Sequence, residues 1–236
     1  MNANVEMYQG NLQYAVDIVL CLDATASMFP VLDSVKESAL GFHERLNAVM
    51  AEKGKAISQL RLRAIAFRDF GDNADDAIEQ TGFLRLPEQS AEFESFIRGV
   101  DARGGGDIPE SALEALALAV NSSWETGLDR RRHVIVMFTD APAHPLGKVG
   151  VNAQTYPTNI PRTMDDLFEQ WGYARSQTAV MEQSAKRLVL FAPDDEPWSE
   201  AIAEEWDLTL HFPSKAGQGL QEFEMDEIID TIANSL

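Results

Sequence analysis

The sequence contains a single cysteine, Cys21, among 236 residues. An intrachain disulfide is therefore excluded, and nothing indicates an oxidising compartment. No apolar run reaches the roughly eighteen residues that a membrane-spanning helix requires. Residues 1–6 lack both the positive charge and the apolar core of a secretory signal. These absences predict a soluble, cytoplasmic protein without a membrane partner.

Positive charge is also scarce in this chain. Its 19 lysines and arginines stand against 38 aspartates and glutamates, which gives a formal net charge of −19. Affinity for nucleic acids and for anionic membranes comes largely from cationic side chains, so the balance argues against both as partners. The length suits one large domain, predicted over residues 14–236 after a polar lead-in over residues 1–13.

Residues 16–22 form a largely apolar run of strand length, which is typical of a strand buried on both faces of a parallel sheet. Similar runs alternate with helical patterns along the chain, and this alternation predicts an α/β protein with a mainly parallel sheet. The further predicted strands cover residues 60–67, 81–86, 133–138, 188–191 and 208–212, and the predicted helices cover residues 30–53, 90–100, 113–124, 164–183, 197–206 and 223–236.

Oxygen-bearing side chains follow the first strand at every second position, as Asp23, Thr25 and Ser27. An extended backbone would point all three the same way, just beyond a strand end, where open α/β sheets bind ligands. Asp107, after a run of glycines, and Asp140, after the strand over residues 133–138, are predicted at the same edge. Such hard donors suit Mg²⁺, Mn²⁺ or Ca²⁺. Helix capping would explain Asp107 alone, but not the two hydroxyls beside Asp23.

These three loops together resemble the metal-ion-dependent adhesion site of the von Willebrand factor type A domain. Residues 23–27 match the Asp-x-Ser-x-Ser first loop, with Thr25 in place of the middle serine. Residues 105–110 resemble the second loop of bacterial and intracellular members, and residues 138–140 resemble the third. Residues 68–72 are similar to a recurrent loop of intracellular relatives. The resemblance is therefore to the bacterial or intracellular stand-alone type.

The resemblance implies a three-layer, Rossmann-like sandwich. Its central, mostly parallel six-stranded sheet would have one short antiparallel edge strand and helices on both faces. It also implies protein binding rather than catalysis: a partner protein, of the ATPase or kinase type, would offer a Glu or Asp to a bound Mg²⁺ within a multiprotein assembly. Mn²⁺ or Ca²⁺ would be alternatives. The implied metal ligands are Asp23, Thr25, Ser27, Asp107 and Asp140.

The second loop departs from relatives that carry a threonine there, because Asp107 adds a third carboxylate. Three negative charges should raise the affinity for the metal and weaken its attraction for a further carboxylate. We therefore expect some of these aspartates to act through water.

Two other functions fit parts of the pattern. A metal-dependent phosphatase of the aspartyl-phosphate type would use Asp23 as its nucleophile, but such enzymes carry an acid two residues later, where this chain has Thr25. A triad of Ser27, His144 and Asp140 would need its base beside its nucleophile. An interaction module with a purely structural ion is the other alternative. Residues 145–162 should lie near the metal face, as a partner-specific wall or as an insertion.

Overall fold

The computed structural model describes residues 14–52, 56–105, 108–173 and 175–214. The predicted lead-in over residues 1–13 and the closing helix over residues 223–236 lie outside them. The strands are β1 (Tyr14–Asp23), β2 (Ile57–Phe67), β3 (Ile78–Gln80), β4 (Leu84–Leu86), β5 (Arg130–Phe138), β6 (Lys186–Pro193) and β7 (Thr209–Ser214). The helices are α1 (Phe29–Glu52), α2 (Ser90–Gly99), α3 (Ala112–Val120) and α4 (Met164–Trp171), with a 3₁₀ turn at Ala26–Met28 and a π-helical turn at Trp198–Glu204.

The described strands form one seven-stranded sheet in the order β3-β2-β1-β5-β6-β7, with β4 also paired to β2. All pairs among β2, β1, β5, β6 and β7 are parallel, whereas β3 and β4 run antiparallel to β2. The predicted α/β class with a mostly parallel sheet is confirmed. In place of the single predicted edge strand, the structure has two short strands, β3 and β4. The pairing with β2 is interrupted between them, where the Ala64 N–H donates to the Thr81 hydroxyl at 3.0 Å instead of to a backbone carbonyl.

The strand β1 is buried on both faces, as its apolar composition predicts. Its residues Val16, Ile18, Leu20 and Leu22 belong to a core shared with α1 and α2. Val19 and Cys21 belong to a second core, shared with α3, α4 and the π-helical turn. The sheet therefore lies between two layers of helices, which is the predicted three-layer arrangement.

Two helices are shorter than predicted. The helix predicted over residues 164–183 ends at Trp171, because Gly172 has a φ of 88°, a conformation that favours glycine and stops a right-handed helix. The helix predicted over residues 113–124 ends at Val120. There the Trp124 indole donates to the Val120 carbonyl, which satisfies a carbonyl that a longer helix would use.

Candidate functional site

The neighbouring strands β1 and β5 form the point where the strand order of the sheet reverses. From β1 the chain continues to β2 on one side, and it returns to β5 on the other side. The two strands stay in register up to the pair Leu22 and Phe138, so their carboxyl ends finish level. Ligands of open α/β sheets bind at such a reversal, and the side chains that follow these ends are therefore the first candidates for a site.

Asp23 is the last residue of β1 and is fully buried. Its Oδ1 accepts hydrogen bonds from the backbone N–H of Thr25 at 2.9 Å and from the Thr25 hydroxyl at 2.6 Å. Its Oδ2 accepts a hydrogen bond from the Thr139 hydroxyl at 2.7 Å. Burial and, to a smaller degree, the negative charge of Asp140 raise the pKa of Asp23 to about 6 against the lowering effect of these hydrogen bonds.

The hydroxyl of Ser27 connects the first loop to the loop after β5. Ser27 Oγ donates to Asp140 Oδ1 at 2.8 Å and lies 3.2 Å from Thr25 Oγ1. Asp140 and Thr25 are fully buried, whereas Ser27 is half-buried. The structure thus brings together Asp23, Thr25, Ser27 and Asp140, as the sequence predicts, in one hydrogen-bonded group.

The second loop approaches this group through its backbone. Arg103 N–H donates to the Ala24 carbonyl at 2.9 Å, and Ala26 N–H donates to the Gly104 carbonyl at 3.1 Å. Gly105 has a φ of 72°, and a Cβ there would lie 2.8 Å from the Thr25 Cβ, so only glycine allows this approach. Asp107, the predicted ligand of this loop, lies outside the described residues.

Two further oxygen-bearing side chains lie at the site that the sequence analysis does not include among its ligands. Thr139 is fully buried and holds Asp23 through its hydroxyl. Glu110 is buried, and its Oε1 lies 3.0 Å from the position of a Cβ on Gly105, beside Thr25. The signal for Thr139 was its position immediately before Asp140, at the end of a buried strand.

The donors of the group fit a hard divalent cation in their chemistry, because all are carboxylate or hydroxyl oxygens. Among the described residues no lysine, arginine or histidine forms an ion pair with Asp23. A cation would therefore offset the cost of burying this charge beside Asp140. Within the described ranges, no three histidine, cysteine, aspartate or glutamate side chains are grouped to hold a metal ion.

His144, which would be the base of the alternative triad, contacts Asp69. Its Nε2 is 3.5 Å from Asp69 Oδ1, and the same oxygen accepts a hydrogen bond from the Ser111 hydroxyl at 2.8 Å. The hydroxyl of Ser27 is instead committed to Asp140. The structure therefore places the Ser27 hydroxyl on Asp140, whereas His144 Nε2 faces Asp69.

Residues 75–154 match the family model of the von Willebrand factor A domain. The match supports a von Willebrand factor A domain in this chain. It contains the second and third loops of the site, and it begins after the first loop. A domain of this kind suggests a protein-interaction or adhesion module.

The chain is also similar to the alpha-protein kinase vwkA of Dictyostelium discoideum, with 25% identity over 154 residues. The match covers 64% of this chain and 23% of the kinase, so the chain spans less than a quarter of that relative.

Among solved structures, the fold resembles the pilus adhesin SpaC of Lactobacillus rhamnosus GG, with a TM-score of 0.56 and 13% identity over 95% of this chain and 31% of the adhesin. The open conformation of SpaC gives a TM-score of 0.52 and 12% identity over 95% of this chain and 30% of the adhesin. At this identity the likeness concerns the fold alone. Within the described ranges, no helix combines the length and hydropathy that a membrane span requires.

Proposed function

We propose that this chain is a metal-dependent protein-interaction module of the intracellular kind, which binds an acidic residue of a partner protein within a multiprotein assembly. The observation that carries the proposal is the hydrogen-bonded group at the carboxyl ends of β1 and β5, in which Asp23 is fully buried without a cationic partner among the described residues. A partner of the ATPase or kinase type remains the predicted class.

The residues that would hold the ion are Asp23, Thr25, Ser27 and Asp140, with Asp107 as a further ligand from the second loop. Mg²⁺, or Mn²⁺ or Ca²⁺ in its place, would supply the positive charge that attracts a partner's carboxylate. The role of Thr139 is to orient Asp23 by donating to Oδ2, which leaves Oδ1 on the side of Thr25. Ser27 orients Asp140 in the same way.

Exposed apolar side chains flank this group and support the assignment to protein binding. Phe29 is 74% exposed two residues after Ser27, and Ile108 is 56% exposed in the second loop. Large apolar side chains next to a polar site are a common feature of surfaces that contact another protein. They would pack against the partner around its acidic residue.

The proposal includes no catalytic step. A phosphatase mechanism would need the Asp23 carboxylate to reach a phosphorus atom. Burial of Asp23 and the hydrogen bonds to both of its oxygens weigh against that role.

The experiment that tests the proposal compares protein captured from a native-like lysate by the parent chain, Asp23→Ala and Asp129→Ala, each with Mg²⁺ or with a chelator. Asp129 is exposed just before β5, at the opposite edge of the sheet, so its variant matches the charge change without touching the site. In Mg²⁺, we expect the parent and Asp129→Ala to capture the same partner protein. Asp23→Ala in Mg²⁺ and all three chains in chelator should not capture it. Equal capture by Asp23→Ala, or in the presence of chelator, would contradict the metal-bridge mechanism.

A further inference from the structure

A cavity of about 370 Å³ lies at the carboxyl edge of the sheet, where residues 143–148, 162–164 and 196–197 meet. This volume is within the range of pockets that hold small ligands or single side chains. Leu113, Leu146 and Met164 give the cavity an apolar wall. Part of its wall comes from residues 145–162, the segment after β5 whose sequence is compatible with a partner-specific wall or an insertion.

The walls of this cavity are fixed by packing and hydrogen bonds. Gly147 has a φ of 73°, and a Cβ there would lie 2.7 Å from the Arg162 carbonyl oxygen, so the two segments meet backbone to backbone. Beneath them, Glu114 Oε1 of α3 accepts hydrogen bonds from the Tyr156 hydroxyl at 2.8 Å and from Gly147 N–H at 3.3 Å. A segment held in this way keeps its shape without a ligand, which favours specific binding.

The cavity carries a local excess of positive charge in an acidic chain. Lys148 and Arg162 line it together with Glu196. The Arg162 guanidinium stacks over the Tyr156 ring at 4.8 Å, and no described residue forms an ion pair with Arg162 or with Lys148. Two cations beside one carboxylate and an apolar wall complement an apolar side chain that has an acidic neighbour.

The cavity is also close to the site proposed above. Ala143, in its wall, follows Asp140 by three residues, so their Cα atoms are at most about 11 Å apart. The connecting residues are held in place, because the Trp198 indole donates to the Ala141 carbonyl at 2.9 Å and Glu110 N–H donates to the Pro142 carbonyl at 3.0 Å. One extended segment of a few residues spans this distance.

We propose that this cavity is the second half of the docking surface: it takes an apolar side chain and its neighbouring carboxylate from the same partner segment whose acidic residue reaches the Asp23 group. This inference rests on the proposed function, and it names the partner as an extended acidic segment with one apolar anchor about three residues from the metal-binding acid. Residues 145–162 are then a specificity wall.

The test uses a synthetic peptide with Glu, two glycines, Leu and Asp in that order, its reversed sequence, and a control peptide with Gly and Asn in place of Leu and Asp. Each is titrated against the Mg²⁺-loaded chain. The Leu-Asp peptide should fit in only one of its two sequence orders. In that order we expect it to bind about tenfold more tightly than the control peptide, since a buried leucine contributes that much. The double variant Lys148→Gln with Arg162→Gln should reduce this difference, because it removes the attraction for the peptide's Asp, and Met164→Glu should abolish it, because it places a carboxylate against the Leu.

The matched control is Arg85→Gln with Arg98→Gln, which removes the same charge from exposed positions elsewhere and should keep the tenfold difference. Equal binding of the Leu-Asp and control peptides, or an unchanged difference in both cavity variants, would overturn this inference and leave the proposed function intact. A difference that persists in chelator would support the cavity and overturn the metal bridge. Sedimentation tests whether the chain forms a dimer. A dimer that the cavity variants abolish would mean that a second copy of the chain occupies the cavity, and this would overturn the inference.

Discussion

The strand β1 buries two aspartates completely, Asp17 toward its amino end and Asp23 at its carboxyl end. Asp17 is compensated by a cation: Arg61 donates from Nε to Oδ1 at 2.8 Å and from Nη2 to Oδ2 at 2.6 Å, and Glu125 N–H donates to Oδ2 at 2.6 Å. Asp23 has only neutral donors among its described partners, and it has Asp140 nearby, which raises its pKa. The same strand thus carries one neutralised carboxylate and one for which the described residues supply no neutralising partner.

The difference between these two ends separates a structural charge from a candidate functional one. A buried ion pair with two parallel hydrogen bonds satisfies both of its members and ties β1 to β2. A buried carboxylate that only hydroxyls and amides hold is costly unless a cation binds. Burial alone therefore does not mark a site; burial without a countercharge in the described part of the chain does.

The largest effect should come from breaking the pair at Asp17. Arg61→Ala leaves a fully buried carboxylate without its cation, and we expect a loss of about 3 kcal/mol in the free energy of unfolding. Urea denaturation measures it. Arg85→Ala is the control, because Arg85 is exposed and 3.9 Å from Glu88, and it should change stability by less than about 0.5 kcal/mol. A similarly small loss for Arg61→Ala would mean that the pair does not neutralise Asp17.

A smaller loss should follow removal of the neutral donor that holds Asp23. Thr139→Val keeps the shape of the side chain but removes the hydrogen bond to Oδ2, and we expect a loss of about 1.5 kcal/mol. The control is Thr178→Val at an exposed position, which should stay within about 0.5 kcal/mol of the parent. If Thr139→Val were as stable as the parent in urea denaturation, the hydroxyl would not be supporting the buried carboxylate.

Residues close in sequence were the easiest part of the site to predict. Asp23, Thr25 and Ser27 follow one buried strand, and the periodicity of an extended chain sets their common direction. Asp140 follows from the same rule at β5. The contact between Thr139 and Asp23 joins residues 116 positions apart, so no local pattern contains it. Likewise, the helix predicted over residues 164–183 ends early, at the backbone conformation of Gly172. Asp107 stays a prediction.

Glu114 offers an intermediate case, since its partners are the neutral Tyr156 hydroxyl and Gly147 N–H. Burial raises the pKa of Glu114, so its contribution to stability is present when it is protonated and is lost as the pH rises through the folded-state pKa. At about pH 4.5 we expect Glu114→Gln to be about 1 kcal/mol less stable than the parent, because the amide puts two N–H donors, instead of one O–H, at the buried position of Oε2, which has no described partner.

This difference in stability between Glu114→Gln and the parent should narrow as the pH rises from about 4.5 toward 7.5, because the parent loses stability as its buried carboxyl ionises. Glu94→Gln, at an exposed position of α2, is the matched control. Urea midpoints across this range measure both variants. A difference that widens with rising pH would show that ionised Glu114 is favoured in the fold, contrary to its burial.

The smallest change in stability without metal should come from Asp23→Asn. The asparagine oxygen still accepts from Thr25, its amide group faces the Thr139 hydroxyl, and the negative charge beside Asp140 is removed. In chelator we therefore expect a change of about 0.5 kcal/mol or less in either direction, although Asp23 is as buried as Asp17. With Mg²⁺ at about one hundred times its dissociation constant, the parent should gain about 2.7 kcal/mol and the variant nothing. A large loss for Asp23→Asn in chelator would make the carboxylate a structural group like Asp17, and an equal gain from Mg²⁺ in both chains would place the ion elsewhere.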